Sequence, residues 1–169
     1  VPVDPAATEA DRLSDEAKAA YKDKKYGQAF TLFEKAFSVQ PRPAFLYNMA
    51  KCKEKLAEYA EAVKQLERYL ETYRQQNGGL ESPDRADTLR QMEDLKRRAF
   101  EALPEVSIQS VPPGAQVIEE GVTVGSTPLV TRMKPGRHKI VLKLPKHSDL
   151  DAELDVPLTG KVAVVLSMK

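Results

Sequence analysis

Apolar residues recur at three- and four-residue spacing through the first part of the chain, which is the period of a helix with one buried face. The pattern is clearest over 45–70, and it breaks near Ala57-Glu58. Two helices joined by a tight turn account for this break. The small side chains of Ala50 and Ala62 would let the helix backbones approach closely, so we predict a helical hairpin here.

A first hairpin precedes this one. Residues 1–9 contain two prolines and no apolar period, so we expect ordered structure only from about Thr8 or Asp11. The inner face of the first helix is formed by Leu13, Ala17, Ala20 and Tyr21.

Lys24-Lys25 turns the chain into a second helix over 26–39. Pro41 and Pro43 end that helix, because proline lacks the backbone N–H and disfavours helical geometry in the residue before it. The next break comes at Gly78-Gly79, after the second hairpin. Four helices in two hairpins are therefore predicted before the glycines.

A fifth helix is predicted to run to about Leu103. Ser82 is the expected N-cap and Pro83 the first helical position, a combination typical of helix starts. The predicted inner face consists of Ala86, Leu89, Met92, Leu95, Ala99 and Leu103. The many charged side chains on its other side suit the polar outer face of a helix that closes a stack of helix pairs.

At Leu103-Pro104 the apolar period changes from 3.6 to 2, which indicates strands. The clearest strand has an inner row of Leu150, Ala152, Leu154, Val156 and Leu158. Thr159-Gly160 turns the chain into a last strand over 162–168, which is apolar on both sides. We predict an α+β chain of two domains: an all-α domain over 8–103 and a small all-β sandwich of about seven strands over 105–169.

The helical hairpins repeat. Tyr26-x2-Ala29-x3-Phe33-x2-Ala36 returns 33 residues later as Tyr59-x2-Ala62-x3-Leu66-x2-Tyr69. A repeat of about 34 residues with these positions resembles the tetratricopeptide (TPR) family. The resemblance implies two repeats and a capping helix, with the first helix of each pair lining a concave groove that binds peptides.

Turn residues of the second domain also follow a known order. They are Pro113-Gly114-Ala115, Gly121, Gly125, Thr127-Pro128-Leu129 and Pro135-Gly136-Arg137-His138. This segment resembles the PEGA domain, although Pro113 stands where the family's namesake motif has an acid. Gly121 and Gly136 are expected to adopt positive φ, which side chains with a Cβ resist. Pro128 can end a strand because no ladder hydrogen bond is needed there.

The charges exclude some function classes. The formal net charge is +1, so the basic excess expected of a nucleic-acid-binding domain is absent. The longest apolar run covers only 162–166, far short of the roughly 20 residues of a membrane span. A single cysteine, Cys52, excludes an internal disulfide.

No catalytic, cofactor or metal-binding motif is recognisable, and we expect a protein that is not an enzyme. Glu119-Glu120 falls at a turn and is interpreted as solvated, and His138 as structural. Two interpretations of Cys52 remain open, a packed core residue and a reactive thiol, because a neighbouring lysine lowers a thiol pKa only if the sulfur is exposed.

The informative surface is the groove of the repeats. Its candidate residues are Lys18, Tyr21, Lys22, Tyr47, Asn48, Lys51 and Lys55. Asn48, Lys51 and Lys55 lie three and four apart, so one helix face could hold an acidic or C-terminal carboxylate segment. Two alternatives stay open: a merely solvated face, and a protein contact through Tyr21 and Tyr47.

These resemblances imply a non-enzymatic adaptor of the bacterial cell envelope, located in the periplasm. The groove would bind a protein or peptide, and the PEGA-like domain would dock to another envelope component. One alternative is a module that binds carbohydrate or cell wall, although residues 105–169 contain no Phe, Tyr or Trp to serve as a platform. Another is the accessory portion of a larger membrane-anchored protein.

Overall fold

The structure, a computed structural model, describes residues 4–169 and consists of five helices followed by seven strands. Contacts divide the chain into two units, with the boundary in sequence between Ala99 and Phe100. The predicted α+β class with two domains is confirmed, whereas the domain limits of 8–103 and 105–169 stay predictions. The helices are α1 Pro5–Lys22, α2 Tyr26–Val39, α3 Pro43–Lys55, α4 Tyr59–Gln76 and α5 Arg85–Glu101.

The first helix begins earlier than predicted, at Pro5 rather than near Thr8 or Asp11. Asp4 is its N-cap, and the carboxylate accepts a hydrogen bond of 3.0 Å from the backbone N–H of Ala6. Proline suits the first helical position because its missing N–H has no partner there in any case. The prediction did not recognise Asp4 followed by Pro5 as a helix start. The remainder of the predicted disordered opening, residues 1–3, lies outside the described residues.

The turn between paired helices is repeated in its backbone geometry. Lys24 has φ 61°, and Ala57, 33 residues later, has φ 59°. In each turn the next residue donates its backbone N–H to a carbonyl five positions earlier, at 2.9 and 3.0 Å: Lys25 to Ala20, and Glu58 to Lys53. Both predicted turns are confirmed, and each closes its first helix in the left-handed conformation typical of helix ends.

The helices meet through small residues. Ala17, Ala29, Ala36, Ala50 and Ala62 are each 0 or 1 % exposed. Large side chains such as Phe33 and Leu46 fill the remaining space between the helices. One core cluster joins α1, α2 and α3, and a second joins α3, α4 and α5. Stacking of this kind buries a continuous core that a single hairpin could not bury alone.

Cys52 belongs to the first of these clusters and is fully buried. Burial raises the pKa of its thiol to about 11, against the opposite influence of Lys53. The thiol is therefore protonated at neutral pH and out of contact with solvent. Of the two interpretations left open by the sequence, the structure supports packing.

The start of α5 differs from the prediction. The helix begins at Arg85, so Ser82 is not its N-cap. Ser82 is buried instead, and its hydroxyl lies 2.9 Å from the hydroxyl of Tyr69 on α4. The Tyr69 hydroxyl donates to Asp84 Oδ1 at 2.7 Å, and the Ser82 hydroxyl donates to the same oxygen. The serine thus ties the approach to α5 to the preceding helix.

The inner face of α5 is also displaced from the predicted one. Thr88, Met92 and Leu95 are buried, whereas Leu89 is 38 % exposed and Ala86 is exposed. Thr88 was missed because a threonine is not counted as apolar, although it is only 2 % exposed. The helix ends at Glu101, so Leu103 is not part of it.

The strands form two sheets. They are β1 Glu105–Val111, β2 Gln116–Glu119, β3 Val122–Ser126, β4 Leu129–Arg132, β5 Gly136–Lys143, β6 Leu150–Val156 and β7 Lys161–Ser167. One sheet has the order β4-β1-β7 and the other the order β3-β2-β5-β6. Strands β1 and β7 are parallel, and the other neighbours are antiparallel. The inner rows share one core, which includes Val106, Ile108, Val117, Ile140, Leu142, Leu154 and Val156.

One predicted inner residue of this unit is exposed. Leu158 is 82 % exposed, because β6 ends at Val156 and the next residue is Pro157. Proline has no N–H for the ladder, so the alternation of inner and outer residues does not continue past it. The positive φ expected at Gly121 and Gly136 is confirmed, with values of 80° and 127°.

The turn motifs of the sandwich meet at one buried hydroxyl. Thr127 is 4 % exposed, and its Oγ1 accepts hydrogen bonds from the backbone N–H of Gly114 at 3.1 Å and of Ala115 at 3.0 Å. Ser110 Oγ lies 2.5 Å from the same oxygen. The Pro-Gly-Ala corner and the Thr-Pro step are separate in sequence but form one hydrogen-bonded cluster.

Glu119 was predicted to be solvated, but its carboxylate forms a hydrogen bond with His138. Glu119 Oε1 lies 2.5 Å from His138 Nδ1, and the other ring nitrogen lies 2.7 Å from the carbonyl oxygen of Lys134. The His138 side chain is 16 % exposed. A carboxylate and a carbonyl oxygen accept hydrogen bonds, so this geometry favours the form of the ring in which both nitrogens carry a proton. The predicted structural role of His138 agrees with this geometry, which links β2, β5 and the loop before β5.

We expect the pKa of His138 to lie above its ordinary value of 6.5, chiefly because of the hydrogen bond to Glu119. The hydrogen bond between the protonated His138 ring and Glu119 stabilises the folded state. This stabilisation is complete below the pKa of the unfolded state, and it is lost as pH rises through the higher pKa of the folded state. Proton NMR titration of the full chain should therefore give a raised midpoint for the ring, which falls in Glu119→Gln. A wild-type midpoint at or below the ordinary value would contradict the assignment.

Replacing Tyr69 by phenylalanine should destabilise the helical unit by about 1–2 kcal/mol, because Ser82 and Asp84 lose a buried hydrogen-bond partner. Urea unfolding followed by helical circular dichroism measures this change. Tyr73→Phe is the matched control, since no hydrogen bond of its hydroxyl is found among residues 4–169. Equal free energies of unfolding for the two variants would show that the Tyr69 hydroxyl is not an anchor.

Candidate functional site

A cleft of about 580 Å³ opens on the helical unit between α3, the end of α4 and the segment before α5. We call it the tyrosine cleft. Its lining residues are Pro43, Ala44, Tyr47, Asn48, Lys51, Tyr69, Tyr73, Gln76, Asn77 and Asp84. Two core helices supply most of this lining, so the cleft is held by packed elements rather than by loops.

Three aromatic rings form the wall of the cleft. Tyr47 and Tyr69 meet edge to face with ring centroids 5.5 Å apart, and Tyr69 and Tyr73 do the same at 6.4 Å. Tyr69 is 8 % exposed, whereas Tyr47 and Tyr73 are half-buried. Edge-to-face contacts fix the rings relative to one another. The wall therefore presents a preformed apolar surface.

Polar groups on α3 flank this wall. The ammonium of Lys51 lies 5.0 Å from the centroid of the Tyr47 ring, within the range of a cation–π contact. Lys51 is exposed and forms no ion pair with any of residues 4–169. The half-buried amide of Asn48 likewise has no hydrogen-bond partner in this part of the chain. An ammonium and an amide are thus both available to a ligand.

An acid stands at the other side of the cleft. Burial alone would raise the pKa of Asp84, but hydrogen bonds from Ser82, Tyr69 and its own backbone together lower it. Burial raises the pKa of Tyr69, and the nearby Asp84 carboxylate adds to that rise. The carboxylate is therefore ionised and the phenol protonated at neutral pH. The cleft holds one positive and one negative group.

The structure brings only part of the predicted groove together. Tyr47, Asn48 and Lys51 line the tyrosine cleft, whereas Lys18, Tyr21, Lys22 and Lys55 do not. Lys18 forms an ion pair with Asp15 at 2.9 Å. The ring of Tyr21 packs edge to face on Tyr26 at 5.2 Å, and its pKa is raised by burial. Lys22 and Lys55 are exposed.

The prediction missed the contribution of α4 and Asp84 to the cleft. It assigned ligand contacts to the first helix of each pair, and Tyr69 was noted only as a repeat position. The spacing of Tyr69 and Tyr73 is a signal that could have been used, since residues four apart lie on one helix face. Asp84 follows a glycine-rich break, and only tertiary structure brings it near α3.

Within residues 4–169 there is no group of three or more His, Cys, Asp or Glu side chains arranged to hold a metal ion. None of the described helices combines the length and apolar character needed to cross a membrane. The sandwich unit has a depression of about 870 Å³, whose charged lining includes Glu119, Arg132 and His138.

Comparisons with known proteins address both units. The model of the PEGA domain matches residues 103–168. The N-terminal domain of stress-induced protein-1 (STI-1) from C. elegans is similar in fold, with a TM-score of 0.52 and 21 % identity over 57 % of this chain and 76 % of that one. No curated protein matches the chain.

The Sgt2 TPR domain from Aspergillus fumigatus also matches, with 25 % identity over 56 % of this chain and 81 % of that one. Its TM-score of 0.27 is too low to support an argument. The repeated turns and stacked helix pairs described above carry the assignment of the helical unit. Residues 103–168 thus match the PEGA domain, and the helical unit before them has a TPR-like fold.

Proposed function

We propose that this protein is a non-enzymatic adaptor whose tyrosine cleft binds a peptide segment of a partner protein. The observation that supports this is the cleft itself: a packed wall of three tyrosines beside an amide without a hydrogen-bond partner and an ammonium without an ion-pair partner among residues 4–169. Concave, mostly apolar sites with a few placed polar groups are typical of ligand binding. Tyrosine is enriched at protein interfaces because its ring is apolar and its hydroxyl polar.

The lining also limits the chemistry of the peptide. The tyrosine wall suits an apolar side chain, and Lys51 with Asn48 suits a carboxylate, which accepts charge-assisted hydrogen bonds from both. Asp84 disfavours a second acidic group deeper in the cleft by like-charge repulsion. We therefore propose a segment with one carboxylate next to an apolar residue, which includes a C-terminal residue of a chain.

We further propose that the PEGA domain docks to a component of the bacterial cell envelope and that the protein acts in the periplasm. This part rests on the family resemblance alone. The alternative of a carbohydrate or cell-wall module has less support, because residues 105–169 contain no Phe, Tyr or Trp. A soluble part of a larger membrane-anchored protein is compatible with the same adaptor role.

The cleft is tested by a pair of matched variants on α3. Lys51→Glu and Lys55→Glu make the same charge change at two exposed lysines, but only Lys51 lines the cleft. A partner is first captured from envelope extract and identified, and its binding segment is synthesised as a peptide. Calorimetric titration should show roughly tenfold or greater weakening for Lys51→Glu, because an attractive charge pair becomes repulsive. Lys55→Glu should bind as the wild type does.

Circular dichroism must first show that both variants keep the helical content and thermal midpoint of the wild type. Tyr73→Ala, which removes part of the apolar wall, should weaken the same peptide. If Lys51→Glu and Lys55→Glu bind equally well, the tyrosine cleft is not the binding site. The predicted groove residues Lys18, Tyr21 and Lys22 would then be examined in the same way.

The proposed location has its own test. The native gene product is expressed in its source cells with a C-terminal tag, and protease is added after the outer membrane alone is permeabilised. Cleavage of the tag is expected if the protein lies in the periplasm. A tag that stays intact until the inner membrane is opened would place the protein in the cytoplasm and leave the cleft assignment untouched.

A further inference from the structure

The two sheets of the PEGA domain have four edge strands, and three of them carry features that hinder pairing with another strand. Strand β4 has four residues, directly after Pro128. Strand β3 has five residues, and the register of its pairing with β2 shifts between Val117 and Ile118. Strand β6 carries three acids, Asp151, Glu153 and Asp155. Short edges, irregular pairing and charged side chains are the usual protection against edge-to-edge association.

Strand β7 has none of these features. It is seven residues long, KVAVVLS, with Lys161 at its start as the only charge. It pairs with β1 over seven consecutive residues without a register shift, so it is regular. Its other edge has no backbone partner within residues 4–169. A long, regular, uncharged edge is a template for a further strand.

The side chains of β7 are also incompletely covered. Val162, Val164 and Leu166 face the core but are only partly buried, and the outward Val165 is 62 % exposed. A strand added beside β7 would therefore cover apolar surface on both faces while it satisfies the free backbone groups.

We propose that the open edge of β7 pairs in antiparallel fashion with β7 of a second copy of this chain, which makes a two-fold dimer with a continuous six-stranded sheet. The register that pairs all seven residues is centred on Val164. It places Ala163 opposite Val165, and Lys161 opposite Ser167. No charged residues of like sign face each other in this register.

Charge favours this register over its neighbour. Moving the centre by one residue to Val165 would bring Lys161 opposite Lys169, and like charges directly opposite are destabilising. Moving it the other way leaves two residues at the end of each strand unpaired. Both copies use the same edge, so the dimer leaves no β7 edge unpaired and cannot extend into a filament.

The association should be weak. One strand pair buries less than the roughly 1,200 Å² of a standard interface, so we expect a dissociation constant above about 1 μM. Sedimentation velocity of the full chain over a range from about 10 μM to about 1 mM covers this regime. The sedimentation coefficient should rise with concentration towards that of a dimer.

Variants that carry opposite charges on β7 distinguish pairing with a second copy of this chain from pairing with another protein. The double variant Ala163→Lys, Val165→Lys places like charges opposite each other twice and should weaken self-association on the order of tenfold or more. Ala163→Glu, Val165→Glu should do the same. An equimolar mixture of the two variants should associate at least as well as the wild type, because opposite charges then face each other.

Val130→Lys is the matched control. Val130 and Ala163 both pair with Ser107, on opposite sides of β1, so the new lysine lies on the same face of the sheet but away from β7. This variant should associate as the wild type does, and all variants must keep the wild-type thermal midpoint. A wild type that stays monomeric throughout, or two folded variants that do not combine, would overturn the proposal and leave the edge to a strand of another protein.

Discussion

The hydrogen bonds of the Tyr69 hydroxyl are the constraint on which the helical module most depends. Tyr69 belongs to α4, yet its hydroxyl contacts Ser82 and Asp84 in the segment that leads into α5. Its ring meanwhile contacts the rings of Tyr47 and Tyr73. One side chain therefore sets both the path of the chain after the glycine break and the wall of the cleft. A largely buried tyrosine can serve both purposes because its ring is apolar and its hydroxyl polar.

A second set of contacts holds α5 farther along the chain. Arg98 Nη1 lies 2.7 Å from Glu54 Oε1 on α3, and its guanidinium stacks 4.4 Å from the centroid of the Tyr59 ring. The two attachments act on opposite ends of α5, with Met92 and Leu95 buried between them. The cleft beside α3 thus has walls whose positions are fixed before any ligand arrives. Preorganised walls reduce the entropy lost on binding, which raises affinity for a given contact area.

Much of the fold could be predicted from local sequence. The helix turns at Lys24 and Ala57, the positive φ of Gly121 and Gly136, and the inner rows of the strands follow from spacing and from the conformations that particular residues permit. Some of the errors have a different cause. Ser82 and Glu119 were misjudged because their surroundings are set by residues distant in sequence, Tyr69 and His138 respectively. For the same reason only the α3 part of the cleft was foreseen. Leu89 was misjudged because α5 turns Thr88 rather than Leu89 towards the core.

The pairing of β1 with β7 has a consequence for how the chain acquires its fold. Glu105 pairs with Lys161, so β1 can complete its pairing only after a segment 56 residues further along the chain has been made. The helical hairpins, by contrast, pair neighbours in sequence. Local contacts form quickly, whereas closing a long loop delays the contacts that depend on it. During synthesis the helical module can therefore be complete while the sandwich still lacks β7, and the edge of β1 that pairs with β7 stays exposed until that strand has been made.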